Sequence, residues 1–300
     1  MRTHAAARIP ALGLAQLAGS VVLLSSAWPV TKAAITAGAS PLWFAVGRAG
    51  GSALTALLVL GALGRLRLPA RRDLPAVFAV GVFQLAGFFA LTHAAMAWVP
   101  AGRSAILSNV TTIWIVPLAM LVLHEPIPPR RWLATALGLA GVVVLMGPWA
   151  IDWSAPGVLT GHVLLLGAGL GFAVALTVVR RAPPRGGMLA LLPWCFGIAT
   201  LLLVPLALLE GGGFGAWPAA SVGALVYTGA LAGPGGTWCI MAAAAALPAM
   251  LASVGLLATP ALGLLLSTWW LAEPLDADLL AGSALILGGV ACASWPGRRR

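Results

Sequence analysis

PAGRSAILSNVTTIWIVPLAMLVLHEPIPPRRWLATALGLAGV, Pro100 to Val142, and PAMLASVGLLATPALGLLLSTWWLAEPLDADLLAGSALILGGV, Pro248 to Val290, are two copies of one pattern. Laid together without a gap, at an offset of 148 residues from Pro100 to Pro248, Glu125 meets Glu273, Pro126 meets Pro274 and Gly141 meets Gly289. An apolar background inflates matches of Leu with Ala. It does not align a Pro and a Glu-Pro, so the chain reads as two related halves, 1–150 and 151–300.

Each half is written for lipid. Apolar residues make up 61% of the 300 and charged ones 8%, with a mean hydropathy of +1.01, a composition that no water-exposed surface of this size tolerates. Hydrocarbon offers the backbone no hydrogen bonds, and the Ala, Leu, Val and Gly runs lack strand alternation, which leaves helices to satisfy it. Breaks at turn residues and charges predict ten spans near 12–36, 41–64, 74–97, 101–123, 132–150, 157–180, 187–209, 219–242, 249–272 and 278–296. Five spans per copy is an odd number, so the second copy enters the bilayer upside down relative to the first. The expected fold is an all-α integral membrane protein, ten transmembrane helices in two inverted five-helix repeats.

Charge tests that topology. The 17 Lys and Arg residues fall almost wholly on alternate turns: Arg2 and Arg8, then Arg65, Arg67, Arg71 and Arg72, then Arg130 and Arg131, then Arg180, Arg181 and Arg185, then Arg298, Arg299 and Arg300. The intervening turns hold only Arg103, while Lys32 and Arg48 lie within spans. The arginine-rich face is expected in the cytoplasm, in the inner membrane of a cell, with both termini on that side. This places Glu125 at the cytoplasmic end of the fourth span and Glu273 at the external end of the ninth. Arg2 and Arg8 ahead of an apolar run resemble a signal peptide, but the nine spans that follow favour an uncleaved first helix.

The net charge of +10 is thereby explained by topology, and no nucleic-acid partner is implied. Cys195, Cys239 and Cys292 fall singly inside apolar runs and read as small core residues rather than ligands of a metal. No cofactor is implied. A nucleotide-driven pump is excluded by the lack of G-x-x-x-x-G-K-[ST], HEPIP at His124 lacks the second histidine of a zinc protease, and G-x-S-x-G is absent, so no enzyme is expected.

The spans resemble the drug/metabolite transporter superfamily and, within it, the EamA family of ten-span carriers. Trp28 and Lys32 in AWPVTK resemble that family's first-span pattern, Arg48 in PLWFAVGRAGG its second-span arginine, and Pro260 followed by Glu273 its proline-to-glutamate spacing. The first repeat departs, with Thr112 where the proline is expected and Pro117 five residues later, a displaced kink. What the resemblance implies is a secondary carrier, commonly an exporter of amino acids or other small metabolites, with a cavity between the halves.

Lys32 and Arg48 are the two cations clearly inside spans, and an ionised group there needs a partner, a wet cavity or a route to the interface. Lys32 has two readings, snorkelling or lining a cavity; Arg48 sits deeper, among Gly47, Gly50 and Gly51, where it could anchor a carboxylate or carbonyls. All seven acids fall at span ends or turns, which leaves proton coupling without its usual carboxylate; His93 and His162 stay open as titrating groups or as packing residues. Glu125 and Glu273, each at a turn before a proline, suit a structural role as acceptors of N–H bonds at the following helix start. Gln84, Asn109, Trp114, Tyr227 and Trp238 join Trp28, Lys32, Arg48 and His93 as cavity candidates. The remaining tryptophans near span ends fit an interfacial belt. Gly233, Pro234, Gly235 and Gly236 are expected to break the eighth span, as a discontinuous carrier helix, a kink or a hinge. The partners expected are a small-molecule substrate and membrane lipid, and the function expected is export or exchange of small metabolites, amino acids including aromatic ones first, by alternating access. A lipid scramblase or a non-transporting scaffold is the alternative.

Overall fold

The computed structural model describes residues 11–124, 129–147, 149, 151–185, 187–215 and 217–294, and every regular element among them is helical. Ten helical segments follow one another: α1 Ala11–Thr36, α2 Pro41–Ala62, α3 Arg71–Ala95, α4 Ala101–Leu123, α5 Pro129–Leu145, α6 Val158–Arg181, α7 Leu189–Glu210, α8 219–246, α9 249–271 and α10 Ala277–Ser294. Among the described residues six of them, α1 to α4, α6 and α7, are long and apolar enough as unbroken runs to cross a membrane.

Packing repeats as the sequence does. Helix α1 lies against α8 and α9, while its counterpart α6 lies against α3 and α4; α2 meets α7 and α5 meets α10, each pairing equivalent helices of the two halves. Close contacts follow the same offset. A Cβ built on Gly81 would stand 3.0 Å from the Cys195 carbonyl oxygen, and one on Gly229, 148 residues on, would stand 3.3 Å from that of Gly47, the counterpart of Cys195. Likewise a Cβ on Gly141 would stand 2.7 Å from the Gly282 carbonyl oxygen, and one on Gly289 2.7 Å from that of Ala134. Backbones touch there because no side chain intervenes, and in lipid such packing replaces the hydrophobic drive that water would supply.

Within helices the irregularities are paired too. Helix α3 carries a π-helical stretch at Val80–Gly87 and α8 one at Tyr227–Ala232. Helix α4 is interrupted at Asn109 and Val110 between Ala101–Ser108 and Thr111–Leu118, and α9 at Leu257, the counterpart of Asn109, between Ala249–Leu256 and Ala258–Leu271. In the first repeat, where a displaced kink is expected, an irregularity beside Pro117 accompanies this interruption. The interruption stays in register, and Pro117 sits inside Thr111–Leu118, with a further π-helical stretch at Ala119–Leu123 directly after it. Pro260 lies in the first turn of the second half of α9, where its missing N–H would have had no intrahelical partner.

Of the three forms expected, a discontinuous helix is not the one adopted at Gly233–Gly236. Helix α8 continues through it as Gly233–Ala246, with Pro234 at its start. A proline inside a helix loses a donor and crowds the carbonyl four residues earlier, and the π-helical stretch directly before Gly233 supplies the extra room. The glycines serve approach instead: a Cβ on Gly233 would reach 2.5 Å from the Ser52 hydroxyl of α2, and one on Gly236 2.8 Å from Leu24 of α1.

Candidate functional site

The arginine-bearing turns gather at one end of the bundle. The Asp73 carboxylate accepts the backbone N–H of Arg185 at 3.2 Å, Trp194 donates to the Arg67 carbonyl at 2.8 Å, and the Arg181 guanidinium donates to the Val122 carbonyl at 2.7 Å. At the opposite end Arg103, 7% exposed, donates to the last carbonyl of α5, Leu145, at 2.9 Å. Glu210, at the end of α7, accepts the Ser40 hydroxyl at 2.5 Å and the Leu42 N–H at 3.1 Å, capping the start of α2. The Trp43 indole reaches the Gly211 carbonyl there at 3.2 Å.

Glu273 belongs to this second end. Its two oxygens accept the Ala101 N–H at 2.6 Å and the Gly102 N–H at 2.9 Å, the first amides of α4, where a negative charge complements the helix dipole. It thus caps a helix of the other repeat rather than the helix after it. Lys32 points its ammonium at the end of α3 and the turn behind it, donating to Met96 at 2.6 Å and Val99 at 3.3 Å. Lys32 and Glu273 line one cavity of about 520 Å³ with Trp98, Pro100 and Leu271. Glu125, the counterpart of Glu273, lies outside the described residues.

Arg48 occupies the middle of the bundle. The backbone of Gly229 presses on that of Arg48 and Gly47, so α2 is pinned on its α8 side and the arginine side chain turns to α3. Its guanidinium stands 4.6 Å over the Phe89 ring, a cation–π contact, and its Nε is buried with no hydrogen-bond partner among the described residues. Phe89 meets His93 edge to face at 5.6 Å, and Phe44 flanks the same imidazole at 5.9 Å. His93 donates from Nδ1 to the Phe89 carbonyl at 2.7 Å, and its buried Nε2 has no partner among the described residues. Beside it, Trp28 of α1 abuts Phe88 at 6.2 Å, and Phe88 abuts Phe172 of α6 at 6.0 Å. Trp28, Arg48 and His93 are therefore brought into one aromatic and cationic cluster.

Other expected residues are placed apart. Tyr227 shares a 2.6 Å hydrogen bond with Ser26 and lines a second cavity of about 430 Å³ with Val30 and Trp270. Trp114 packs by Gly169 of α6, its buried indole N–H without a partner among the described residues. Asn109 donates to its own helix at Ala105, 2.7 Å away, as part of the α4 interruption, and Gln84 lies half-buried in the π-helical stretch of α3. His162 donates to the Val158 carbonyl at 2.7 Å and packs against Trp153, away from His93. Trp238 turns outward, 52% exposed, in an apolar groove with Leu63, Leu231 and Pro234.

The phenylalanines at the centre were not singled out from the sequence. Phe89 and His93, spaced i and i+4 on one helical face, are the signal that would have found them. Glu210 and Asp73 were likewise read only as span-end acids. No group of three or more His, Cys, Asp and Glu side chains is placed to hold a metal ion among the described residues.

Ten helical segments in two inverted copies, packed around a half-buried cation, define a multi-pass membrane transporter. The EamA-like transporter family matches residues 11–147 and 159–295, once per repeat, and the chain belongs to that family. It is 27% identical over 243 residues to the "Uncharacterized transporter YdfC" of Bacillus subtilis, covering 78% of this chain and 76% of the relative. It is 25% identical over 291 residues to a protein of Streptantibioticus cattleyicolor named "Probable terminal-alkyne amino-acid exporter", covering 93% and 96%. One solved crystal structure matches with a TM-score of 0.65 and 21% identity, over 95% of this chain and 96% of that one, which bears on the fold alone.

Proposed function

We propose that the protein is a secondary carrier of the cytoplasmic membrane that exports or exchanges small amphipathic metabolites, amino acids with apolar or aromatic side chains first among them, by alternating access. The observation that carries this reading is Arg48: a cation at the centre of the bundle, on the face of Phe89, whose Nε has no hydrogen-bond partner among the described residues. A buried cation is costly unless an anion or a dipole meets it, and a substrate carboxylate meets it well. Trp28, Phe88 and Phe172 supply the apolar and aromatic surface that the rest of such a substrate would contact. The name of the Streptantibioticus relative supports the same substrate class. The arginine-rich end is the cytoplasmic one in this reading, by the charge bias of its turns, and both termini lie there.

Counterflow of labelled amino acids in proteoliposomes, with and without a proton gradient, tests it. The wild type is expected to show counterflow for a subset of apolar or aromatic amino acids, and Arg48→Ala to abolish it while protein stays in the membrane. Unchanged uptake kinetics in Arg48→Ala would remove Arg48 from the site. No counterflow with any amino acid would remove this substrate class.

A further inference from the structure

We propose that the external half of α1 carries a two-chamber site for an α-amino acid with a large apolar side chain, its zwitterion held between Lys32 and Glu273 and its side chain lodged by Tyr227 and Trp270. The two cavities already described, about 520 Å³ and about 430 Å³, share Ala33 and Ala37 of α1 as lining residues. The two residues they share carry only methyl side chains. On one side lie a cation and an anion, and on the other the walls are apolar except for hydroxyls, chiefly the Ser26–Tyr227 pair.

The unused hydrogen-bonding capacity of the charged chamber selects the headgroup. An ammonium has three N–H donors, and among the described residues Lys32 commits two, to Met96 and Val99, leaving one for a carboxylate. Each Glu273 oxygen accepts one amide N–H and keeps a further lone pair for an ammonium. A zwitterion matches both. An amine or an acid alone leaves one charge unmet. Trp270, 54% exposed, sits at the rim of the apolar chamber, and its indole gives an aromatic or branched side chain a surface to pack on. This site is separate from Arg48 and rests on the carrier reading for its place on a transport path, but binding there can be measured without transport.

The experiment is equilibrium binding of radiolabelled L-phenylalanine to the full chain in lipid nanodiscs, with 2-phenylethylamine and 3-phenylpropionate as competitors. In Ala33→Phe, which fills the common edge and leaves both charges in place, phenylalanine is expected to bind about tenfold or more weakly. In Glu273→Gln, phenylalanine and phenylethylamine are expected to weaken by about tenfold, with phenylpropionate unchanged. Phenylalanine affinity unaltered by Ala33→Phe, or an absence of phenylalanine binding in the wild type, would overturn the proposal. Counterflow that persists alongside unaltered Ala33→Phe binding rejects this site and leaves the carrier reading standing; two-chamber binding without counterflow does the reverse.

Discussion

His124 and Ala272, 148 residues apart, are the two non-glycine residues with positive φ among the described residues, both at +53°. Each ends its helix and is followed by Glu-Pro. Their settings differ: His124 follows the Val122 carbonyl bound by Arg181 at the arginine-rich end, whereas Ala272 precedes Glu273 at the other. One local conformation used at two opposite faces is the inverted repeat expressed at a single residue. A left-handed conformation costs a residue with a Cβ about 1 kcal/mol, and glycine escapes that cost. Ala272→Gly is accordingly expected to raise stability by up to about 1 kcal/mol, read as a higher thermal midpoint in detergent.

Gly288 and Gly289 are neighbours on α10 with opposite surroundings. A Cβ on Gly288 would meet nothing within 4 Å, whereas one on Gly289 would reach 2.7 Å from the Ala134 carbonyl and 3.2 Å from the Gly138 nitrogen, backbone atoms that cannot swing aside. Gly289→Ala is expected to destabilise by about 1–3 kcal/mol, and Gly288→Ala to be neutral or stabilising by up to about 1 kcal/mol. Thermal unfolding of the two variants side by side checks the α5–α10 crossing.

Trp28 and Trp238 separate a central role from a peripheral one. Trp28 is wedged between Phe88 and Gly263, and Trp238 stands half in the open. Trp28→Ala is expected to lower the counterflow rate by about tenfold or more, and Trp238→Ala to leave it within about twofold. Rates normalised to protein recovered in the vesicles decide between them.

The ten spans and their pairing were legible because hydropathy and a fixed offset survive in a single sequence: Pro100 with Pro248 and Gly141 with Gly289 already announce it. Which face a helix turns inward was not. Helix α8 carries no charge and is apolar all round, so nothing in its periodicity separates outward Trp238 from inward Tyr227. The Gly233–Gly236 run left a discontinuous helix, a kink and a hinge open because glycine and proline mark both a broken helix and a close crossing, and only the positions of Ser52 and Leu24 reveal the crossing. Glu273 was legible as an acceptor of helix-start amides. That the amides belong to Ala101 and Gly102 of the other repeat required the fold.

The opposed threading of the two halves is tested most directly by single cysteines in a background lacking Cys195, Cys239 and Cys292. Arg72→Cys and Arg185→Cys, exposed near the Asp73–Arg185 contact, and Ser154→Cys, exposed between the halves, are labelled in intact cells with a membrane-impermeant maleimide. The expected result is labelling of Ser154→Cys alone, with the other two reacting only after the membrane is opened. Positions 72 and 185 reporting opposite compartments would contradict it.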